Sequence, residues 1–219
     1  MISATFDSTK TSLQELLARA DNGKLQLPDF QRDWVWDDDR VRSLLASVSE
    51  SFPIGAVMLL QTGGQNVRFK PRPLTGTNGD LSRTAPESLI LDGQQRLTAL
   101  YQALMSRTAV RTKDAKGKPI WRWYYFDMRK AAGVENDPED AVVSIPDEKL
   151  AKAFGGAIVL DLTGPEHEFG ADFFPANRIF NSAECGKPTI DTGTTRPKRS
   201  GVTVQVVRAA TEAKRARRR

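Results

Sequence analysis

A chain of 219 residues, 39% of them hydrophobic, can bury one substantial core with a short appendage. Its longest apolar run, Ile54 to Leu60, falls far short of the about 20 residues that cross a bilayer. The formal net charge of +5 belongs to the end of the chain: residues 186–219 hold ten Lys/Arg and two Asp/Glu (+8), which leaves 22 basic and 25 acidic residues (−3) in 1–185. That body lacks the electrostatic footprint of a protein that grips DNA unaided.

The N-terminus, MISATFDSTK, has no basic-then-apolar leader, and the single cysteine, Cys185, excludes an internal disulfide. Both point to a soluble protein of the reducing cytoplasm. In chain order, Leu13, Leu16, Leu17 and Ala20 at helical spacing predict a first helix, with Ser12 and Glu15 as a capping box and Gly23 as its stop. Lys24 to Leu27 reads as a short extended segment. Asp37, Asp38 and Asp39 then supply a cap and a negative first turn for a helix carrying Val41, Leu44, Leu45 and Val48. Phe52-Pro53 ends it, and Ala56 to Leu60 reads as a buried strand.

Residues 61–88 are expected to be mostly loop, with a strand near Val67. Ser88 to Leu91 predicts a strand running directly into Asp92-Gly93-Gln94-Gln95-Arg96, after which Leu97, Leu100, Tyr101 and Leu104 mark another helix. Beyond a charged turn (Lys113 to Lys118), Trp121 to Met128 is aromatic and strand-like. Ala141 to Ile145 and Ala157 to Leu162 are further strands, and Asp147 to Phe154 is expected to form a short helix. Helices and strands alternating in this way indicate an α/β or α+β domain. After about Cys185, Gly, Thr, Pro and Lys/Arg dominate, so 1–185 reads as the domain and 186–219 as a basic, disordered tail. Such a tail either contacts nucleic acid or is only solvated.

The segment Asp92-Gly93-Gln94-Gln95-Arg96 admits two explanations. Asp92 as N-cap with Gln95 three residues on is a capping box, which carries no functional information. Two features resist that account. Gly93 at a first helical position costs roughly 1 kcal/mol relative to alanine, and Arg96 in the first turn opposes the helix dipole at about 0.3–1 kcal/mol. A bound anion would reverse both penalties, because free backbone N–H groups and a guanidinium would converge on it. The second cluster is Pro28-Asp29-Phe30-Gln31-Arg32-Asp33-Trp34-Val35-Trp36. Phe30 and Trp34 with Gln31 suit a surface that stacks bases, whereas Trp34 and Trp36 also suit a plug into the core. Gln31 beside Arg32 fits a phosphate or a base edge.

Taken together, LPDFQRDWVWDDDRVRSLLASVSESFPIGAVMLL and LILDGQQRLTALYQAL resemble the N-terminal domain of GmrSD-type restriction endonucleases, a relative of ParB and sulfiredoxin. Gln31-Arg32, Ser47-Val48, Gly55 and Gly93 to Arg96 follow the ParB-like order, FFPANRIF at 173–180 is similar to a family segment, and the likeness covers about residues 1–182. The resemblance implies a ParB/sulfiredoxin-like fold and an NTP (GTP or another) with Mg²⁺ bound through Gly93, Arg96, Gln31 and Arg32. It implies hydrolysis carried by Asp92, Gln94, Gln95 and Arg96, in which Asp92 holds Mg²⁺ or orients water and one of the two glutamines positions it. The expected setting is a regulatory domain of a modification-dependent, DNA-directed phage-defence system. A non-catalytic sensor of DNA or nucleotide through Phe30, Gln31 and Trp34 is the alternative, and an inert remnant of a longer nuclease is a third.

Full-length relatives continue into an HNH-type nuclease, a site that needs several residues around a cation. This chain has one histidine, His167 in PEHEF, expected at the surface, and no Cys/His cluster for zinc. The cutting activity is therefore expected from a partner subunit, or to have been lost by truncation near Cys185.

Overall fold

A computed structural model describes residues 3–63, 69–78, 80–81, 83–133, 137–180 and 203–212, with backbone only at 3–6 and 203–212. The elements are β1 (Ser3–Ser12), α1 (Leu13–Asp21), β2 (Leu25–Pro28), α2 (Asp38–Ser49), β3 (Ala56–Gln61), β4 (Pro71–Arg72) and β5 (Ser88–Asp92). There follow α3 (Gln94–Leu104), β6 (Val110–Lys113), β7 (Pro119–Asp127), α4 (Met128–Ala131), α5 (Pro138–Ala141), β8 (Val142–Pro146) and β9 (Leu150–Lys152). The last are β10 (Ile158–Asp161), α6 (Pro165–Gly170), β11 (Phe173–Pro175), a 3₁₀ turn at Ala176–Arg178, and β12 (Thr203–Glu212). This is the mixed α/β composition that the alternating pattern predicts. The chain forms two units: Met1–Trp34, Pro53–Thr98 and Val202–Arg219 in the first, Val35–Phe52 and Ala99–Gly201 in the second.

The first unit is built on a six-stranded sheet in the order β1-β12-β3-β5-β2-β4. Strand β5 lies parallel to β2 on one side and antiparallel to β3 on the other. Ser12 caps α1 by accepting from the Glu15 amide at 3.2 Å, and the helix buries Leu13, Leu16, Leu17 and Ala20. All four residues of β2 are buried. Its one polar side chain, Gln26, donates to the carbonyls of Gly23 (3.0 Å) and Thr84 (2.8 Å), which removes the penalty of a buried unbonded amide. Strand β3, expected to be buried throughout, alternates instead: Val57 and Leu59 are buried while Ala56, Met58 and Gln61 are exposed. Its sheet neighbours pair with its backbone along both edges, and only the face carrying Val57 and Leu59 is buried.

In the second unit β7 is the central strand. It pairs with β8 along one edge and with β6 and then β11 along the other, all antiparallel. Helix α2, capped by Asp37, is fastened to β7 and β8 through Asp38, which accepts from the hydroxyls of Tyr124 (2.9 Å) and Ser144 (2.8 Å). Burial first, and then the Asp38 charge, push the Tyr124 phenol well above its ordinary pKa, so it remains a donor. The short helix expected at 147–154 does not form. Lys149 has φ 58, which no helix accommodates, and Leu150–Lys152 becomes β9, paired antiparallel with β10. The strand β6 also escapes the sequence pattern.

The expectation of a disordered tail fails at Thr203–Glu212. There β12 runs antiparallel to β1 and parallel to β3, so both edges of its backbone find partners. Composition averaged over 186–219 hides the local run TVQVV, whose β-branched residues favour a strand. Cys185, the remainder of the tail and the strand expected near Val67 lie outside the described residues. Removing residues 203–219 should strip β1 and β3 of their shared partner. The melting midpoint is expected to fall by more than the roughly 2–4 °C that 1 kcal/mol is worth in a chain of this size. Unchanged melting of the shortened chain would place β12 outside the cooperative fold.

Candidate functional site

Because β2 and β5 are parallel neighbours and β3 is antiparallel to β5, the ends of β2 and β5 and the start of β3 emerge at one edge of the sheet. The loop after β2 (29–33), the turn after β5 (92–96) and the approach to β3 (54–56) therefore converge. Carboxyl ends of neighbouring parallel strands are where α/β sheets place their ligands.

The convergence is held by side chains that reach for backbone. Gln31 Nε2 donates to the Leu91 carbonyl at 2.8 Å, Gln94 Nε2 to that of Arg32 at 2.6 Å, and Gln95 Nε2 to that of Asp33 at 3.1 Å. Arg72 adds bonds to the carbonyls of Gln31 (2.7 Å) and Arg32 (3.2 Å), with the Asp33 carboxylate 3.5 Å away. The two sequence clusters are thus a single structural object.

Arg96 has a different place from the one expected. Its guanidinium turns inward, donating to the Ile54 carbonyl and, at 2.9 Å, to that of Ala56, while Asp92 Oδ2 stands 3.6 Å away. These acceptors offset the dipole penalty that an anion was invoked to cover. Gly55 has φ +87, and a Cβ there would collide with the Arg96 guanidinium. Gly93 is likewise not the first helical residue: it precedes α3 with φ +87, and a Cβ on it would stand 3.0 Å from Val57 Cγ2. The close approach that calls for glycine comes from the protein's own β3. The capping-box account fares no better, since Asp92 is the last residue of β5 and glycine flanks the helix.

The two glutamines are distinguishable in this geometry. Gln94 is 5% exposed, with its amide bonded to a backbone carbonyl, so it braces the loop; Gln95 is partly open to solvent. What the rim offers to a ligand is Arg32, exposed and without a side-chain partner among the described residues, together with Asp29, Asp33 and Asp92, all exposed. Phe30 is 60% exposed and meets Phe69 edge-on at 5.0 Å. Trp34 is half-buried with its indole Nε1 buried and unbonded, which fits the core plug better than a stacking surface. Its neighbour Trp36 belongs to the second unit, where its carbonyl accepts from Thr112 at 2.8 Å. His167 is largely exposed, 3.2 Å from Asp161. Among the described residues no group of three or more His, Cys, Asp or Glu could hold a metal ion, and no helix is long and apolar enough to cross a membrane.

Residues 13–167 match the family model of the GmrSD restriction endonuclease, N-terminal domain. The chain belongs to that family. An uncharacterized protein of Methanocaldococcus jannaschii is 31% identical over 137 residues, which is 61% of this chain and 23% of that protein. The chain thus matches about a quarter of the relative's length. The family match takes in all three converging loops of the first unit; β12 lies outside it.

The pairing of Gly55 with Arg96 has a measurable signature. Gly55→Ala is expected to destabilise the chain by about 2 kcal/mol or more, through left-handed strain and displacement of the guanidinium. In an Arg96→Ala background the same substitution should cost distinctly less, and denaturant unfolding of the four proteins in a double-mutant cycle measures the difference. Strictly additive costs would show that the two residues do not interact.

Proposed function

We propose that this domain is the nucleotide-handling, regulatory part of a DNA restriction system. It takes a nucleoside triphosphate with Mg²⁺ at the rim formed by Arg32, Asp33, Gln95 and Asp92, and hydrolyses it. The observation that carries this reading is the make-up of that rim: Arg32, exposed with no side-chain partner among the described residues, beside the exposed carboxylates of Asp29, Asp33 and Asp92, the last two lying 3.5 and 3.6 Å from Arg72 and Arg96. Carboxylates repel bare phosphate, and a divalent cation between them turns repulsion into attraction. Asp92 and Asp33 are the residues that would hold Mg²⁺, whose contribution is to neutralise charge on the phosphates. Arg32 supplies N–H donors to phosphate oxygens. Gln95, the more open of the two glutamines, orients water. Arg96 is a positioning residue that holds β3 and the turn in place, and Gln94 does the same for the loop. Family membership supports the restriction setting, with DNA and a nuclease domain or subunit as partners.

Arg32→Ala is the informative variant, because that side chain is exposed and makes no hydrogen bond or ion pair among the described residues. Phosphate release from GTP, ATP, CTP and UTP should depend on Mg²⁺ and fall about tenfold or more in Arg32→Ala and Asp92→Asn. Nucleotide-free Arg32→Ala should melt as the wild type does, and excess NTP with Mg²⁺ should raise the melting of the wild type. Background release from all three proteins, with no nucleotide-dependent shift in melting, overturns the proposal.

A second reading rests on Phe30, an exposed ring on the same loop as Arg32, which suits stacking on a nucleobase. Stacking of this kind is worth about 1–3 kcal/mol per base, so Phe30→Ala should weaken single-stranded DNA binding about fivefold or more at fixed salt. Equal affinities at matched ionic strength would remove the base-reading role and leave nucleotide hydrolysis as it stands.

A further inference from the structure

The second unit contains a cleft of about 390 Å³ lined by Ser106, Arg107, Trp123, Lys149, Glu168 and Arg178, with Asn177 beside them. Three cations face one carboxylate there, a local excess of two positive charges in a body (1–185) that is net acidic. The cleft of the first unit between α1 and β5 makes a useful contrast. Its charges, Arg19 and Lys24 against Glu15 and Glu87, are balanced, and both cations are engaged with Glu87 at 3.8 and 3.0 Å.

In the second cleft the carboxylate is the anchor. Glu168 is 1% exposed and accepts through Oε1 from Tyr125 Oη (3.0 Å) and Lys149 Nζ (3.0 Å). Arg178 Nη1 stands 3.6 Å from Oε2 without forming a hydrogen bond. Lys149 is further fixed with Nζ 5.1 Å from the centre of the Trp123 ring, and the Trp123 indole N–H is tied to the Asp147 carbonyl at 3.2 Å. Asn177 donates to the Ser106 carbonyl at 3.2 Å. Arg107 is exposed with no side-chain partner among the described residues.

Two guanidinium forks and an ammonium carry many more N–H donors than the one hydrogen bond they make here. Two of these three cations are held in place by a buried anion, so little conformational freedom remains to be lost on binding. Preformed, donor-rich and positive, such a cleft is complementary to the oxygens of phosphate, which only accept. Its volume, a tryptophan in its wall and the amide of Asn177 extend the match to a nucleoside attached to that phosphate. The segment 173–180, singled out in the sequence, finds a place here, because Asn177 and Arg178 are two of the lining residues.

We propose that this cleft is a nucleotide-phosphate site, separate from the rim around Arg32, that takes a mononucleotide either free or as part of a nucleic-acid strand. Calorimetric titration of the full chain with each 2′-deoxynucleoside 5′-monophosphate, the matching nucleosides, inorganic phosphate and a single-stranded oligonucleotide tests it. Monophosphates should bind, and nucleosides should bind about tenfold more weakly or not at all. Arg107→Glu, at an exposed side chain free of described partners, should weaken the monophosphates about tenfold or more, while Arg32→Ala binds them as the wild type does. That last result separates this site from the rim, since rim binding would fail in Arg32→Ala alone. Competition by the oligonucleotide identifies a strand as the source, and its absence a free nucleotide; either supports the site. Nucleosides binding as well as monophosphates, wild-type affinity in Arg107→Glu, or inorganic phosphate matching every monophosphate overturns the proposal.

Discussion

The first unit is organised around a cation set in a place that repels it. Arg96 lies in the opening turn of α3, at the positive end of the helix dipole, and remains there because the carbonyls of Ile54 and Ala56 and the Asp92 carboxylate surround its guanidinium. That arrangement needs backbone to come very close. It dictates glycine at position 55, where a Cβ would occupy the guanidinium's place, and glycine at 93, where β3 itself presses in. One side chain thereby joins the start of β3 to the end of β5, and the edge of the sheet becomes a defined surface instead of three independent loops. Since Arg96 is engaged in this way, the cation left for a ligand is Arg32.

Electrostatics then separate two ways of handling an anion. On the rim, Arg32, a cation without a side-chain partner among the described residues, stands beside exposed carboxylates, two of them near Arg72 and Arg96, and the proposed binding of phosphate there includes a divalent ion. In the cleft of the second unit, the cations outnumber a carboxylate that is already bonded through one oxygen, and no such ion is needed. Each arrangement is paired with an uncharged scaffold: carboxamides on backbone carbonyls at the rim, and Tyr125 and Trp123 beneath the ions in the cleft. Burial and the nearby Glu168 charge hold the Tyr125 phenol far above its ordinary pKa, so it stays a donor to Glu168 through the neutral range. The basic pI, by contrast, comes from residues 186–219 and informs neither site.

What could be read in the sequence was whatever is governed locally. Helices α1 and α2 start where Ser12 and Asp37 accept from amides three residues on, and apolar spacing placed their buried faces. The strand, glycine and helix around Asp92 were likewise visible. Other features were not. Helical preference over 147–154 is overridden by a left-handed Lys149 and by the pairing of β9 with β10. Strand β12 depends on two partners distant in the sequence, and a composition average hid its pattern. Glu168, Lys149 and Arg178 come together only through tertiary structure, and no spacing connects them. The penalties at Gly93 and Arg96 are legible locally, yet neither requires a ligand, because the Ile54 and Ala56 carbonyls that accept from Arg96 lie outside any local pattern.

A carboxamide offers a donor without charge, which is what a backbone carbonyl in a tight loop can accept. At Gln94 a glutamate would aim a carboxylate at the Arg32 carbonyl now 2.6 Å from Nε2, exchanging attraction for repulsion at a residue that is 5% exposed. Gln94, Arg96 and the two glycines therefore satisfy conditions of folding whether or not a nucleotide ever binds. More open to water are Asp92, 74% exposed on its side chain, Gln95, partly open, and Arg32. The motif divides into a framework that is mostly buried and an edge that faces water, and the nucleotide chemistry proposed for the domain belongs to that edge.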